Sequence, residues 1–458
     1  MSSLIDSLKN LEIFQGKSNF NLVKCPGRIS FSKHCDYINN DLLYIAADYN
    51  IYAASAATQS SEKKSINFRI KIINLNPDFK DFELNLSKDY FKNESIINEY
   101  KSNWFFYVLK LLNELILASK ESFQEIEELY IAFNNNLPAA GGMSSSHALI
   151  LSSMLSLSLS LKIDSFSNKI QNPKSKSESL EILKLCQKIE HSKGFKSGLG
   201  DQAAQLLSKK DKFCFVKLYP ELSYTYIDIP EHLAFMILPS FIKAEKTSKE
   251  YQSTPKYFEN YSYLNEFWFE RVKNQPEIQA KFSSKEYFHL GDLLYIYNSK
   301  KLLESISSIE DEKLKYLSLY ALAEGARLKE LKEDFSESKL YNHINLSHLA
   351  ENIDKDKMQT QETIGLTKQL SEHIGAYRSS TSTNDEIAEL ALKIDGVYAC
   401  SIMGAGLGGN NLAIVEKEKA SKIKKILIKN YYSKKKQALE AEKAILVNTS
   451  SSALEQII

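Results

Sequence analysis

The chain has 458 residues, more than a single hydrophobic core usually serves, so two domains are expected. Its 58 basic and 57 acidic side chains nearly cancel without long runs of like charge, which argues against nucleic acid or an acidic membrane surface as the main partner. The start lacks an apolar signal core, no window is long enough to span a bilayer, and five scattered cysteines form neither a metal pattern nor a disulfide framework. These features lead us to expect a cytoplasmic protein that acts on small molecules, with a monomer as the default state.

Taken in chain order, Val23 to Phe31 alternates like a strand, with Val23, Cys25, Ile29 and Phe31 on one face and Arg28 and Ser30 on the other. A polar loop follows, containing Lys33, His34 and Asp36. Leu42 to Ala57 and Ile66 to Leu86 read as further strands. Trp104 to Ala118 has helical spacing through Phe105, Val108, Leu112 and Leu115. Leu129 to Phe133 reads as a strand and Ala148 to Leu161 as a helix. Between them lies Asn136 to Ser146, a glycine turn that ends in three serines. The Ser/Lys/Asn-rich stretch Lys162 to Ser179 reads as an exposed insertion. Leu180 to Ser192 and Asp201 to Leu207 are helical, and Phe213 to Leu218 is a strand. A change in composition near Pro220 divides the chain into 1–219 and 220–458. Residues 257–350 look mostly helical, Val397 to Ile414 is strand, glycine turn, strand, and the tail is a lysine-rich amphipathic helix.

Glycine is scarce, at 16 of 458 residues, about half of average usage. Yet Gly27, Gly141/Gly142, Gly194/Gly198/Gly200 and Gly404/Gly406/Gly408/Gly409 form four small clusters. A chain that concentrates its glycines in this way brings backbone close to a ligand at those places. Strand, glycine turn, hydroxyl cluster, helix is an order that builds an anion site, because the first N–H groups of a helix lack partners and its dipole favours negative charge. A plain serine N-cap is the alternative. Glu190 shares a helical stripe with Leu183 and Cys186, so its carboxylate needs a cation partner or a metal; a Mg²⁺ ligand and an ion pair both fit. Asp201 opens a helix as either an N-cap or a general base. His34 and Asp36 suit a turn or a ligand contact. Gly404 to Gly409 spells the dinucleotide fingerprint, but a strand follows it where a helix should open, which argues against a nicotinamide oxidoreductase.

Taken together and in order, these motifs resemble the GHMP small-molecule kinases, and within them the branch that phosphorylates galactose. Cys25-Pro26-Gly27-Arg28-Ile29-Ser30-Phe31 with Lys33-His34-Cys35-Asp36-Tyr37 matches the family's first motif, Pro138 to Leu149 its second, and Met403 to Gly409 its third. Cys186 through Glu190 and His191 to Gln202 resembles that branch's metal-and-base segment. Ser240 to Tyr251 keeps its serine to Glu-Tyr spacing, and Trp104, Tyr107-Val108, Glu324 and Arg327 also fit.

The resemblance implies an α+β, two-lobed fold with ATP and sugar in the cleft between lobes. It implies ATP binding by Pro138, Ala140, Gly141, Gly142, Met143, Ser144, Ser145 and Ser146, with Ser145 and Glu190 on Mg²⁺. Asp201 becomes the catalytic base and Arg28 the cation that keeps it ionised. Sugar contacts fall to Arg28, Lys33, His34, Asp36, Asp201, Tyr251, Gly404 and Gly406. The implied activity is ATP-dependent phosphorylation of the anomeric hydroxyl of galactose. The chain departs from the family pattern in four places. The loop before His34 is one residue short, and Lys33 stands where the family has an acidic sugar contact. Ala140 replaces a phosphate-loop glycine, with Gly141 gained beside it. His147 replaces a small residue. Glu190 and Asp201 are one residue closer than usual. Lys33 makes a uronic-acid or other sugar kinase the alternative, and a non-catalytic sugar and ATP sensor is the other.

Overall fold

A computed structural model describes residues 2–17, 19–31, 41–59, 67–87, 94–119, 123, 125–137, 141–194, 197–219, 221–242, 257–282, 288–311, 314–315, 318, 321–322, 381–403, 408–448 and 450–458. Among them are two β-sheets with helices packed against them. The larger sheet holds β1 (Asn21–Ser30), β2 (Asp41–Gln59), β3 (Asn67–Asn74), β4 (Phe82–Ser87), β5 (Ile126–Asn135), β6 (Lys212–Lys217) and β7 (Ser223–Asp228). The smaller holds β8 (Leu233–Pro239), β9 (Val397–Ile402), β10 (Asn410–Glu416) and β11 (Leu446–Asn448), in the order β11-β8-β10-β9. A last short strand, β12 (Glu455–Gln456), returns to the larger sheet beside β1. Residues near the C-terminus therefore pair with both sheets.

The long strand β2 explains the shape of the larger sheet. β1 runs antiparallel along one side of it, while β6 pairs with Asp41 to Tyr44 and β5 with Ile51 to Gln59. A strand with neighbours on both sides carries apolar side chains on both faces. In β2, Ile51, Ala53 and Ala57 enter the main core, whereas Tyr52, Ala54 and Ala56 pack with Leu8, Phe14 and Leu22 on the opposite face. β1 is buried likewise from Asn21 to Ile29. The alternation expected for it holds, with Val23, Cys25 and Ile29 in the main core and Phe31 packed against it, but the face that carries Arg28 is covered too and Arg28 is buried. β8 alternates in the same way, sending Leu233, Phe235 and Ile237 into the main core and Ala234, Met236 and Leu238 into a second one.

Helices Phe106–Ala118, Ser145–Ser160, Lys176–His191 and Gly200–Leu207 contribute to the main core. The serines that break the apolar run of Ser145–Ser160 serve a close approach to the sheet. Asn21 donates to Ser160 Oγ at 2.7 Å, Ser156 donates to Asn21 Oδ1 at 2.9 Å, and Ser55 donates to the Ser156 carbonyl at 2.8 Å. Small hydroxyl side chains let helix and strands meet without leaving these buried polar groups unpaired.

Two further expectations need correction. Lys162 to Ser179 is not an exposed insertion: it forms a helix, Asp164–Gln171, and the start of the next, with Ile163 and Ile170 in the main core. Its polar composition concealed these apolar anchors and Phe166, one helical turn before Ile170. The lysine-rich tail is helical at Ala420–Leu427, where Ala420, Ile423 and Leu427 are buried, but it ends in strands the composition did not suggest. Among the described residues no helix is long and apolar enough to cross a membrane.

Candidate active site

The site starts at an irregularity in the pairing of β1. Its register against β2 shifts between Pro26 and Arg28, which pair with Asn50 and Ala46, so the extra residues of this irregularity lie in β2. Gly27 sits against the loop before helix Ser145–Ser160: a Cβ there would lie 2.4 Å from Leu137 Cδ1 and 3.1 Å from the Met143 carbonyl. Only glycine fits without moving that loop. The Arg28 amide donates to the Met143 carbonyl at 3.1 Å, and its guanidinium donates to the Gly142 carbonyl. The first and second motifs are thereby tied together by backbone.

Arg28 Nε donates to Asp201 Oδ1 at 2.6 Å, with the arginine side chain 6% exposed and the aspartate 26%. Asp201 is not an N-cap. The cap position of helix Gly200–Leu207 is Leu199, and Asp201 lies in the first turn with its carboxylate turned to Arg28. From the same helix, Gln205 donates to the Ser144 carbonyl at 2.9 Å.

Ser144 precedes helix Ser145–Ser160 with left-handed backbone angles, φ 61° and ψ 49°, and gives it no side-chain cap. That conformation costs a non-glycine residue on the order of 1 kcal/mol or more, and such strain gathers at functional positions. The Ser144 hydroxyl lies instead 2.9 Å from His147 Nδ1. Ser144 therefore occupies the cap position without capping the helix through its side chain.

Glu190 is wholly buried, as its helical stripe with Leu183 and Cys186 implied. Ser146 donates to Glu190 Oε1 at 2.8 Å, and Ser197 donates to Oε2. Ser145, the partner favoured from sequence, is the half-buried residue before it; the hydroxyl that reaches Glu190 belongs to Ser146. Ser197 is held by its neighbours: its amide lies 2.9 Å from His191 Nε2, and Gln187 donates to its carbonyl at 2.7 Å. A buried carboxylate ringed by serine hydroxyls offers hard oxygen donors, and that set fits a small divalent cation completed by phosphate oxygens and water. Tyr107 stands nearby, its phenol pushed up by burial first and by the Glu190 charge second. Lys193, its ammonium pushed down by burial, lies 4.9 Å over the Tyr107 ring.

The third motif reaches the same place. Asn410, the residue after its glycines, donates to the Gly141 carbonyl at 2.8 Å. Gly408, at φ +115°, would bring a Cβ within 2.6 Å of the Ile242 carbonyl, and the Ser240 hydroxyl donates to the Gly409 carbonyl at 2.6 Å. β10, which starts at Asn410 and pairs antiparallel with β9, is a strand where the dinucleotide fingerprint needs a helix. Arg28, Gly141, Gly142, Met143, Ser144, Ser146, Glu190 and Asp201 thus belong to one connected cluster. Lys33, His34, Asp36, Pro138, Ala140, Tyr251, Glu324, Arg327, Gly404 and Gly406 lie outside the described residues. The roles of Ser197 and Asn410 were missed. Their signal was weak, a serine before Gly198 and an amide after Gly409.

The family model "GHMP kinases N terminal domain" matches residues 107–209, which include the serine helix, Glu190 and Asp201. Galactokinase of Schizosaccharomyces pombe is 26% identical over 239 residues, 49% of this chain and 42% of that protein, so the match spans less than half of the relative. Galactokinase of Fusobacterium nucleatum is 24% identical over 449 residues, 96% of each chain. The crystal structure of Lactococcus lactis galactokinase complexed with galactose superposes with a TM-score of 0.67 at 19% identity, covering 99% of each chain. The α+β GHMP kinase fold is therefore that of this chain.

Proposed function

We propose that the chain is an ATP-dependent sugar kinase that transfers the γ-phosphoryl group of ATP to the anomeric hydroxyl of galactose. The observation that carries this reading is the Arg28–Asp201 pair, its buried arginine anchored to the Gly142 carbonyl of the phosphate loop. Similarity to galactokinases along most of the chain supports galactose as the acceptor.

Phosphoryl transfer leaves a protein little covalent work, so the rate comes from positioning and from neutralising charge. Asp201 takes the proton of the anomeric hydroxyl or holds it ready for transfer. Arg28 keeps Asp201 ionised and places positive charge where the moving phosphoryl group gathers negative charge. The start of helix Ser145–Ser160, with Gly141 and Gly142 before it, receives the phosphates of ATP. Ser146 and Glu190 would hold Mg²⁺, which would supply positive charge to neutralise the phosphates. The assignment of residues 1–219 and 220–458 to two lobes is part of the same reading. The second span also returns Ser223–Asp228 and Glu455–Gln456 to the larger sheet.

The test is coupled ATP turnover against a sugar panel. Galactose-dependent ADP release supports the reading. Nucleotide and sugar binding without turnover would leave a sensor, not an enzyme.

A further inference from the structure

One side chain stands at the junction of all these groups without a part in the mechanism. His147 is wholly buried. Its Nδ1 lies 2.9 Å from Ser144 Oγ and 3.9 Å from Asp201 Oδ2. Its Nε2 lies 2.9 Å from Glu190 Oε2. That approach is within ion-pair reach, yet Nε2 has no well-aligned hydrogen-bond partner. A buried ring nitrogen beside a carboxylate oxygen, off the line of a hydrogen bond, is an uncomfortable arrangement for two groups alone. It is a comfortable one for two neighbouring donors on one cation. Ligands about 2.1 Å from an octahedral ion stand about 3 Å apart when adjacent. The other ring nitrogen agrees, because a metal-bound histidine engages a polar neighbour through its second nitrogen, here Ser144.

We propose that His147 Nε2 joins Glu190 and Ser146 in a mixed nitrogen and oxygen site that takes a first-row transition-metal cation, Mn²⁺ or Co²⁺, more tightly than Mg²⁺. The proposal rests on the kinase reading above, since nucleotide phosphate oxygens and water fill the remaining positions. Among the described residues no group of three or more His, Cys, Asp or Glu side chains could hold a metal by itself. One imidazole, one carboxylate and one hydroxyl need the nucleotide to complete them. First-row transition ions accept imidazole, Mn²⁺ the least strongly of them, whereas Mg²⁺ keeps to oxygen, so a histidine in this position shifts the preference.

The experiment uses the full chain with ADP and Mn²⁺. Pulsed electron paramagnetic resonance of the bound Mn²⁺ should show ¹⁴N coupling from a directly ligating imidazole. Competition with Mg²⁺, followed through the free Mn²⁺ signal, gives the selectivity. We expect the coupling to vanish in His147→Ala and His147→Gln, with Mn²⁺ over Mg²⁺ selectivity falling about tenfold or more, the scale of a lost metal-site contact. Mn²⁺ bound to wild type without ¹⁴N coupling would overturn the proposal, as would an unchanged selectivity in the variants. The wild-type spectrum decides even where a variant does not fold. Coupling without sugar-dependent ATP turnover keeps this site and removes the kinase reading. Turnover without coupling does the reverse.

Discussion

Replacing Arg28 by lysine keeps a positive charge on β1 but removes the fork that holds two acceptors at once. The guanidinium donates to Asp201 Oδ1 at 2.6 Å through Nε and to the Gly142 carbonyl through Nη1. A lysine ammonium is a single point charge on a flexible stem and does not reproduce both bonds in that geometry. If it keeps the carboxylate, the Gly142 carbonyl loses its charged donor and the phosphate loop loosens. If it keeps the carbonyl, Asp201 loses its close counter-charge. Either way one charge-assisted hydrogen bond is lost, about 1.5–3 kcal/mol, or roughly ten- to a hundredfold in rate. Asp201 is 26% exposed and water makes good part of the loss, so the lower half of that range is expected. The assay is kcat and KM for ATP and for galactose, with a melting temperature to separate catalysis from folding. The fall should appear in kcat, with both KM values within about threefold, as for an interaction strongest in the transition state. In an Asp201→Asn background, itself at least about a hundredfold slower with sugar binding retained, Arg28→Lys should cost little more. Wild-type kcat in Arg28→Lys, or full additivity with Asp201→Asn, would refute the reasoning.

Glu190→Gln and Ser146→Ala should each weaken Mg²⁺-ATP use more than sugar binding. The double variant should be little worse than the poorer single one across a Mg²⁺ titration, because the two side chains share one contact. Gly27→Ala should lower stability by about 1–3 kcal/mol in chemical denaturation and raise KM for ATP, since the added methyl meets Leu137 and the Met143 carbonyl; an unchanged midpoint would mean the loop yields freely. Lys33→Glu tests the sugar end: if the lysine donates to the sixth carbon's substituent, the ratio of galacturonate to galactose turnover should fall about ten- to a hundredfold, and an unchanged ratio removes Lys33 from sugar recognition.

Much of this site was legible because its parts are local. A glycine before an arginine near a strand's end, a glycine turn before serines, and an aspartate opening a helix are each short patterns with a physical use. The stripe that buries Glu190 needs only helical period. Burial on both faces of β1 was not legible, because it depends on what covers the strand, and helix Ser145–Ser160 on one face and Leu8 and Phe14 by Leu22 on the other are not adjacent to it in sequence. The structured stretch after Lys162 was missed for a related reason. A few apolar side chains suffice to seat a short helix when a large core lies beneath it.

The choice among three consecutive serines shows where reading a sequence stops and geometry takes over. Successive residues on a helix point about 100° apart, so only one of Ser144, Ser145 and Ser146 can face Glu190. Which one depends on how the chain enters the helix. Here the entry is set by left-handed angles at Ser144, which no residue preference for serine would suggest. That turn points the first hydroxyl at His147 and the third at Glu190, while His147 itself faces inward between Glu190 and Asp201. The left-handed serine and the histidine three residues later are thus one device. Ser144 holds one ring nitrogen and leaves the other toward the carboxylate, and a small residue in place of the histidine would leave Ser144 without that contact.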